Sequence, residues 1–285
     1  MPKKDTNQDK VKAANLKARE EERKNEMRQD KHETKKRKVP EVDFKLDYEF
    51  RVRSQNGEDG IIEKMTDAIL EPDHTFLEIG WGDGGANCSN YLQYCKGWGG
   101  VGVDMKGKPY DTSEWIDDFE LIQQAVLPEN IGEICSKVPR NCDFFSLDID
   151  SFDYDIAYAA FVDHGFRPKT VCVEFQHRFG PSKIASFPYK KDVSLKRYRK
   201  GKLDASGCSL SKWRRFFEHF GYQYFGFDTT GTNCFFYNKE ECHHIDLPIL
   251  SGTDLPTRNY TKIKNTIKNG FWAKYEDDIY KDVEL

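Results

Sequence analysis

The sequence predicts an α/β protein with a mostly parallel, seven-stranded sheet that ends in an antiparallel hairpin. Three observations support this fold class. From Phe44 onward, short apolar runs rich in Val, Ile and Phe alternate with longer amphipathic segments, as in a parallel sheet. A glycine-rich loop separates the first predicted strand from the helix that follows. The last two β-like runs flank the turn-forming "TTGT", which predicts a hairpin.

The predicted elements follow one another regularly along the chain. Apolar residues at helical spacing predict a first helix in "GEDGIIEKMTDAIL", which runs into the strand "TFLEIG". After the glycine loop, "NCSNYLQYCK" opens the next helix, and "GGVGVD" is the second strand. Strands three to five are predicted in "FELIQQAV", "CDFFSLDID" and "TVCVEFQ". The helix "SLSKWRRFFEHFG" then precedes the hairpin strands "YQYFGFD" and "NCFFYN".

Composition divides the 285 residues into three parts. Residues 1–42 are charged and poor in apolar side chains, which predicts a disordered tail. Residues 43–245 form the predicted folded domain, and residues 246–285 form an extension with a predicted helix. Residues 1–40 contain 14 Lys+Arg against 8 Asp+Glu, a net charge of +6, whereas the remainder carries −10. Because a body of this charge repels nucleic acid, RNA binding would depend on the tail.

The sequence also bears on the compartment. The eight cysteines form no C-x-x-C pair, so we expect free thiols instead of disulfides or zinc ligands. The N-terminus "MPKKDTNQDK" lacks the apolar segment of a secretory signal, and no run approaches the roughly 18 apolar residues of a membrane span. We therefore expect a cytoplasmic protein with no membrane partner. The stretch "KKRK" at Lys35–Lys38 resembles a short nuclear-import signal, with a solvated charge run as the alternative.

The glycine-rich stretch "FLEIGWGDGGANCSNYL" fits two nucleotide-binding patterns. Gly80, Gly82 and Gly85 fit the dinucleotide pattern G-x-G-x-x-G. Glu78 and the glycines at 80, 82 and 84 fit the acid-x-G-x-G-x-G loop of enzymes that bind S-adenosylmethionine. The second pattern is favoured because Glu78 replaces a usually apolar residue and because the chain ends in a hairpin instead of a parallel sixth strand. A plain tight turn is a third alternative, since a lone G-x-G-x-x-G is weak evidence.

Each part of this predicted cofactor site has a chemical role. Glycines let a loop approach a ligand closely, and the Glu78 carboxylate suits the cationic amino group of the methionine moiety. Asp104 closes the second strand and would accept hydrogen bonds from the ribose hydroxyls. Trp81 and Met105 could flank the ribose or adenine, with core packing as the alternative for each. The full predicted set comprises Glu78, Gly80, Trp81, Gly82, Asp83, Gly84, Asn90, Asp104 and Met105.

Carboxylates follow the fourth predicted strand in "SLDIDSFDYD". Ligands of open α/β sheets bind at the carboxyl ends of strands, so Asp148 and Asp150 should point into the crevice. Two close acids raise each other's pKa and can hold a proton or a divalent cation. Glu174, at the end of strand five, would complete an oxygen site for Mg²⁺ or Mn²⁺. Asp153 and Asp155 favour a different interpretation, a solvated acidic cap on the next helix.

The catalytic candidates are Asp148, Asp150 and His177, any of which could take a proton from an attacking hydroxyl. His177 follows strand five and is equally plausible as an ordinary loop residue. The loop that continues to residue 207 contains nine Lys+Arg and several aromatic residues, among them Phe187 and Tyr189. These residue types suit a sugar ring or a phosphorylated saccharide, and the alternative is a solvated insert.

Several motifs occur in a fixed order between about Ser54 and Asn238. They are "SQNGEDGII", "LEIGWGDGGANCSNYL", "GWGGVGVD", "FFSLDIDSFDYDI", "VCVEFQ", "SGCSLSKWRRFF" and "GTNCFFYN". This ordered set resembles the FkbM-like family of class I S-adenosylmethionine-dependent methyltransferases. The resemblance implies a Rossmann-like methyltransferase fold and methylation of hydroxyl groups on saccharides or glycosylated acceptors. Asp150 and Ser151 depart from it, because the family pattern D-x-E-G has glutamate and glycine there, and this leaves the acceptor class open.

Three classes of function therefore remain. The first is an O-methyltransferase that acts on a saccharide hydroxyl. The second is an RNA methyltransferase that uses the basic tail, against which the net charge of the body argues. The third is a non-catalytic binding protein that keeps the fold. Intact Glu78, glycines and Asp104 argue against the third class, because a protein without activity would not require them.

Overall fold

The structure is a computed structural model that describes residues 49–82, 84–105, 118–179, 183–190, 207–228 and 230–245. The predicted tail with its "KKRK" stretch, the C-terminal extension and Asp83 lie outside the described residues. All eight cysteines are described, and all are free thiols, as the sequence predicted.

The described chain forms helices and strands close to the predicted positions. In chain order they are α1 (Glu58–Thr66), β1 (Thr75–Ile79), α2 (Asn90–Lys96), β2 (Gly99–Asp104), β3 (Phe119–Gln123), α3 (Ile131–Cys135), β4 (Phe144–Leu147), α4 (Asp153–Tyr158) with a π-helical continuation (Ala159–Asp163), β5 (Thr170–Glu174), a 3₁₀ turn (His177–Phe179), α5 (Leu210–His219), β6 (Tyr222–Phe227) and β7 (Asn233–Asn238). Strand β4 ends before Asp148, although the prediction extended it to Asp150. The reason is that Asp150 adopts a left-handed backbone conformation, with φ 56°, that no strand can contain.

The seven described strands form one sheet in the order β3-β2-β1-β4-β5-β7-β6. Neighbours from β3 to β5 are parallel, whereas β7 is antiparallel to both β5 and β6. This order and the antiparallel seventh strand are those of the Rossmann-like class I methyltransferase fold, so the predicted fold class is confirmed. Strand β1 pairs with β2 on one side and with β4 on the other, so the strand order reverses there. Open α/β sheets form their ligand crevices at such a point.

Alternate residues of the strands pack on opposite faces of the sheet. On one face, Leu77 and Ile79 of β1 join a buried cluster with apolar residues of α3, α4 and α5. On the other face, Phe76 joins a second cluster with residues of α1 and α2, among them Ile62 and Leu92. The molecule therefore has three layers, with helices on both sides of the sheet. The loops after β1 and β4 lead to helices on opposite faces, which leaves the edge between them open.

Gly80 provides a test of how tightly this edge is built. Its φ is 95°, and an added Cβ would lie 1.6 Å from the carbonyl oxygen of Asp148. We expect Gly80→Ala to lower the free energy of unfolding by more than about 3 kcal/mol, since backbone must move to remove the clash.

Gly82→Ala is the matched control, because Gly82 also has a positive φ, 61°, but among the described residues no atom beyond its two chain neighbours lies within 4 Å of the position that a Cβ would occupy there. This variant should cost only about 1 kcal/mol. Urea denaturation followed by circular dichroism measures both. Equal losses would contradict the close contact.

Candidate functional site

The loops after β1 and β4 touch through their backbones at the point where the strand order reverses. The peptide N–H of Asp148 donates to the carbonyl of Ile79 at 2.9 Å, which extends the β1–β4 pairing by one bond. The N–H of Gly80 donates in the other direction, to Val103 of β2, also at 2.9 Å. The glycine loop and the acidic loop, predicted separately, thus adjoin each other.

Glu78 anchors the glycine loop to the beginning of α2. Its side chain is 4% exposed, and its carboxylate accepts hydrogen bonds from the backbone N–H of Cys88 at 3.1 Å and of Ser89 at 2.9 Å. The Ser89 hydroxyl donates to the same carboxylate. Burial raises the pKa of Glu78 to about 7 despite these bonds. The carboxylate therefore fixes the shape of the loop, and its contact with a ligand amino group stays a prediction.

Asp104 closes the glycine loop from the side of β2. The N–H of Gly82 donates to its Oδ2 at 2.9 Å, so the loop and the end of β2 form one continuous edge. Asn90, the first residue of α2, holds the far side of the loop, because its side-chain amide donates to the carbonyl of Gly84 at 2.8 Å. Met105 follows Asp104 and is 55% exposed, so it is accessible to a ligand.

The position of Trp81 corrects its assignment as a cofactor contact. The indole is 1% exposed and packs in the apolar cluster between the sheet, α1 and α2. Its ring lies 4.7 Å from that of Phe119 and covers Gly102, where an added Cβ would be 2.7 Å from the indole. The alternative that the sequence left open, core packing, is therefore the one that the structure shows.

The predicted acidic trio is brought together at the carboxyl ends of β4 and β5. One carboxylate oxygen from each of Asp148, Asp150 and Glu174 lies within 4.8 Å of the other two. Oxygens bound to one Mg²⁺ ion lie about 3.0 Å apart when adjacent and about 4.2 Å apart when opposite, given metal–oxygen distances near 2.1 Å. The donor set and its spacing therefore fit a hard divalent cation with small side-chain adjustments.

Acidic neighbours surround the carboxylate of Asp148. The pKa of Asp148 is raised for two reasons. Protein atoms around the carboxyl displace water, and the negative charges of Asp153 and Asp150 repel the ionised carboxylate. Asp148 is nevertheless exposed to solvent, so the effect of burial on its pKa is smaller than for a buried acid. The repulsion by its acidic neighbours is consequently the part of the shift that a bound cation would reverse.

Asp153 is not the solvated cap that the sequence suggested. It is completely buried, and its carboxylate accepts hydrogen bonds from the N–H groups of Ile149 at 2.7 Å and Ser151 at 3.1 Å. Burial raises its pKa to about 6. The interpretation as a solvated cap was wrong because the N–H groups of the acidic loop turn inward and require an acceptor. Asp155 is half-buried and accepts from the N–H of Tyr189 at 3.1 Å.

A segment after β5 borders the acidic loop. Within it, Phe187 is buried, whereas Tyr189 is half-buried and its ring lies 4.7 Å from that of Phe152. The segment is tied down by Gly207, whose N–H donates to the carbonyl of Ser151 at 2.6 Å. Of the aromatic residues that suggested an acceptor surface, Tyr189 is therefore placed beside the acids, and Phe187 belongs to the core. His177 begins the 3₁₀ turn and is half-buried, and its role as a base stays a prediction.

Sequence reasoning missed two buried acids on the same edge. Asp228, after β6, is fully buried and accepts from the N–H groups of the hairpin turn, including Thr232 at 3.0 Å. Burial and the charge of Glu58 raise its pKa to about 7. Glu58 begins α1 and accepts from the side-chain amide of Asn233 at 3.0 Å. The signal was present in the motifs "NGED" and "DTTGTN", which carry acids next to turn residues.

No family model and no curated protein matches the sequence. The chain is similar in fold to solved structures of methyltransferases at low sequence identity. One is the small RNA methyltransferase HEN1, with 14% identity and a TM-score of 0.36 over 66% of this chain and 25% of HEN1. Another is an O-methyltransferase from Bacillus cereus in complex with SAH, with 14% identity and a TM-score of 0.36 over 62% of this chain and 76% of the other.

A third similar structure is MycE, a methyltransferase from the mycinamycin biosynthetic pathway in complex with Mg and SAH. The identity is 16% and the TM-score 0.34, over 68% of this chain and 51% of MycE. The chain thus spans a quarter of the length of HEN1 and about half of MycE. These TM-scores are too low to assign a fold. The fold is therefore assigned from the strand order of the sheet. No helix among the described residues has the length and apolar character needed to cross a membrane.

The buried Glu78 predicts a pH dependence of stability. Its pKa is raised to about 7 in the folded protein, whereas the unfolded chain titrates near 4.5. Its contribution is fully present below about pH 4.5 and is lost as the pH rises through about 7, because unfolding then releases the proton. The stability advantage of the wild type over Glu78→Gln should therefore shrink by up to about 3 kcal/mol between these pH values.

Urea denaturation of both proteins at several pH values between 4.5 and 8 measures the difference. Acids elsewhere in the chain titrate in both proteins and cancel when the two stabilities are subtracted. The difference therefore reports on Glu78. Parallel stability curves would contradict a raised pKa at this position.

Proposed function

We propose that the protein is an S-adenosylmethionine-dependent O-methyltransferase that acts on a hydroxyl group of a saccharide or glycosylated acceptor. The observation that carries the proposal is the junction of two sites at one edge of the sheet. A glycine loop that ends against Asp104 adjoins a loop that presents Asp148 and Asp150. A methyl donor and groups that activate a hydroxyl would thereby lie side by side.

The cofactor would be held by the edge that runs from the glycine loop to the end of β2. Asp104 would accept hydrogen bonds from the ribose hydroxyls, and the loop around Gly82 would follow the amino-acid arm of the cofactor. Gly82 is exposed and has open space at its Cα, which leaves room for a ligand to approach the backbone. When bound, S-adenosylmethionine supplies an electrophilic methyl group.

The acids would prepare the acceptor. In-line methyl transfer needs an alcohol oxygen about 3 Å from the methyl carbon and relieved of its proton during attack. The raised pKa of Asp148 makes this carboxylate a better proton acceptor than an ordinary aspartate. Alternatively, Asp148, Asp150 and Glu174 would together hold Mg²⁺ or Mn²⁺, which would lower the pKa of a bound hydroxyl. In the absence of a cation, the base is Asp148, Asp150 or His177.

The saccharide acceptor is supported by the residues that border the acids. Tyr189 and Phe152 place two partly exposed aromatic rings next to the acidic loop, and such rings suit the apolar face of a sugar. Divalent cations and carboxylates are also common partners of sugar hydroxyls. The net charge of residues 41–285, −10, disfavours RNA as the acceptor.

Cofactor binding is tested by calorimetry with S-adenosylhomocysteine. We expect micromolar affinity, roughly −8 kcal/mol, and a loss of about 1.5 to 3 kcal/mol in Asp104→Ala through lost charge-assisted hydrogen bonds. Glu133→Ala, at an exposed acid of α3, is the control and should bind as the wild type does. Tight binding of NAD with no binding of S-adenosylhomocysteine would contradict the proposal.

The acidic loop is tested by methyl transfer from radiolabelled S-adenosylmethionine to a panel of monosaccharides, nucleotide sugars and glycosylated small molecules. With the acceptor that the wild type uses, Asp148→Asn should lower kcat by about 10²-fold or more, because the lost group acts in the transition state. The affinity for S-adenosylhomocysteine should change little. Asp163→Asn, at an exposed acid after α4, should leave kcat unchanged.

A cation requirement is read in the same assay, since EDTA should abolish transfer and Mn²⁺ should restore it if the acidic trio holds a metal ion. An Asp148→Asn protein that methylates normally would show that the active centre lies elsewhere. An Asp148→Asn protein that loses affinity for the cofactor but keeps its kcat would lead to the same conclusion.

A further inference from the structure

We propose that Asp153 is a positioning residue that holds Asp150 in its left-handed backbone conformation and so keeps the carboxylates of Asp148, Asp150 and Glu174 facing one another. This inference rests on the proposed function, because it concerns the same acidic site. Asp153 is completely buried, so its proposed role involves no contact with the acceptor. It acts through the backbone of the loop.

Asp153 accepts two hydrogen bonds from the backbone of the acidic loop. The oxygens of Asp153 accept from the N–H of Ile149 at 2.7 Å and from the N–H of Ser151 at 3.1 Å. These are the residues on either side of Asp150. One carboxylate therefore bridges the peptide groups that flank the left-handed residue. Both partners precede α4, so the side chain serves the loop and not the helix that it begins.

The conformation of Asp150 has a cost. Only Asp150 and His74, among the non-glycine residues described, have a positive φ. Such a conformation is unfavourable for a residue that carries a Cβ, although aspartate adopts it more readily than most. Residues held in this way persist only where the surroundings impose the conformation. The hydrogen bonds that Asp153 accepts on both sides of Asp150 are contacts of this kind.

The loop is fixed on both sides of Asp150. Upstream, the carbonyl of Asp148 packs against Gly80 so closely that no side chain fits between them. Downstream, the carbonyl of Ser151 accepts from the N–H of Gly207 at 2.6 Å. Between these anchors, the φ of Asp150 decides where its carboxylate lies. A change to negative φ would swing that carboxylate away from Asp148 and Glu174.

The test compares glycine with alanine at position 150 in two backgrounds. Both substitutions remove the carboxylate and its charge, so their difference reports the backbone alone. Glycine tolerates a positive φ and alanine does not, whereas at negative φ alanine is the more stable residue. In the wild-type background we expect Asp150→Gly to melt about 2–4 °C above Asp150→Ala. In the Asp153→Asn background the difference should fall below about 1 °C or reverse.

Metal binding gives a second readout, which a purely structural role for Asp153 would not move selectively. In Asp153→Asn with Asp150 intact, the affinity for Mn²⁺ measured by electron paramagnetic resonance should fall at least about fivefold. The affinity for S-adenosylhomocysteine should stay within about twofold, because the glycine loop is held by other residues. Should Asp153→Asn fail to fold, the same measurements are made on Asp153→Ser, which keeps one acceptor.

The outcomes separate this inference from the proposed function. An equal Gly–Ala difference in the two backgrounds would overturn the positioning role, whatever the activity of the enzyme. A wild type that binds no S-adenosylhomocysteine would overturn the proposed function while leaving the melting comparison valid. A wild type that binds no Mn²⁺ would remove the cation from the proposal, and the melting comparison would then decide alone.

Discussion

The close contact between Gly80 and the carbonyl of Asp148 is the constraint on which the site depends. It occurs where β1 and β4 are neighbours and their following helices lie on opposite faces of the sheet. In open α/β sheets the ligand crevice forms at such a point, outside the carboxyl ends of the two strands. Any side chain at position 80 would push the loops apart. The distance between the glycine loop and the acids thus depends on the absence of a Cβ at Gly80.

Buried carboxylates hold the loops of this edge in place. Glu78, Asp153 and Asp228 are each almost or completely buried, and each accepts two or more hydrogen bonds from backbone N–H groups of a loop. Loop N–H groups that turn inward need acceptors, and a carboxylate can satisfy several at once. Burial raises the pKa of all three acids, which is the energetic cost of this arrangement. The described parts of these loops are thus held by hydrogen bonds to buried acids.

The sequence predicted those features that depend on local pattern and on the geometry of parallel sheets. Apolar runs located all seven strands, and the rule that strand ends share one edge brought Asp148 and Glu174 together. Trp81 and Asp153 were misjudged because their surroundings are non-local. The indole of Trp81 is buried because Gly102, on the neighbouring strand, leaves space for it. Asp153 is buried because the N–H groups of its own loop point inward, which no composition rule for acidic segments reveals.

The two departures from the D-x-E-G pattern acquire a physical meaning in this loop. The residue with positive φ is Asp150, not Ser151, so the backbone does not require glycine at position 151. Ser151 is buried, and its carbonyl accepts a hydrogen bond from the N–H of Gly207. Aspartate at 150 keeps the carboxylate of glutamate but is shorter by one methylene, and its left-handed backbone still places an oxygen within 4.8 Å of Asp148 and Glu174. The acidic trio therefore keeps three carboxylates, one of them on a side chain that is shorter by a methylene than the pattern has.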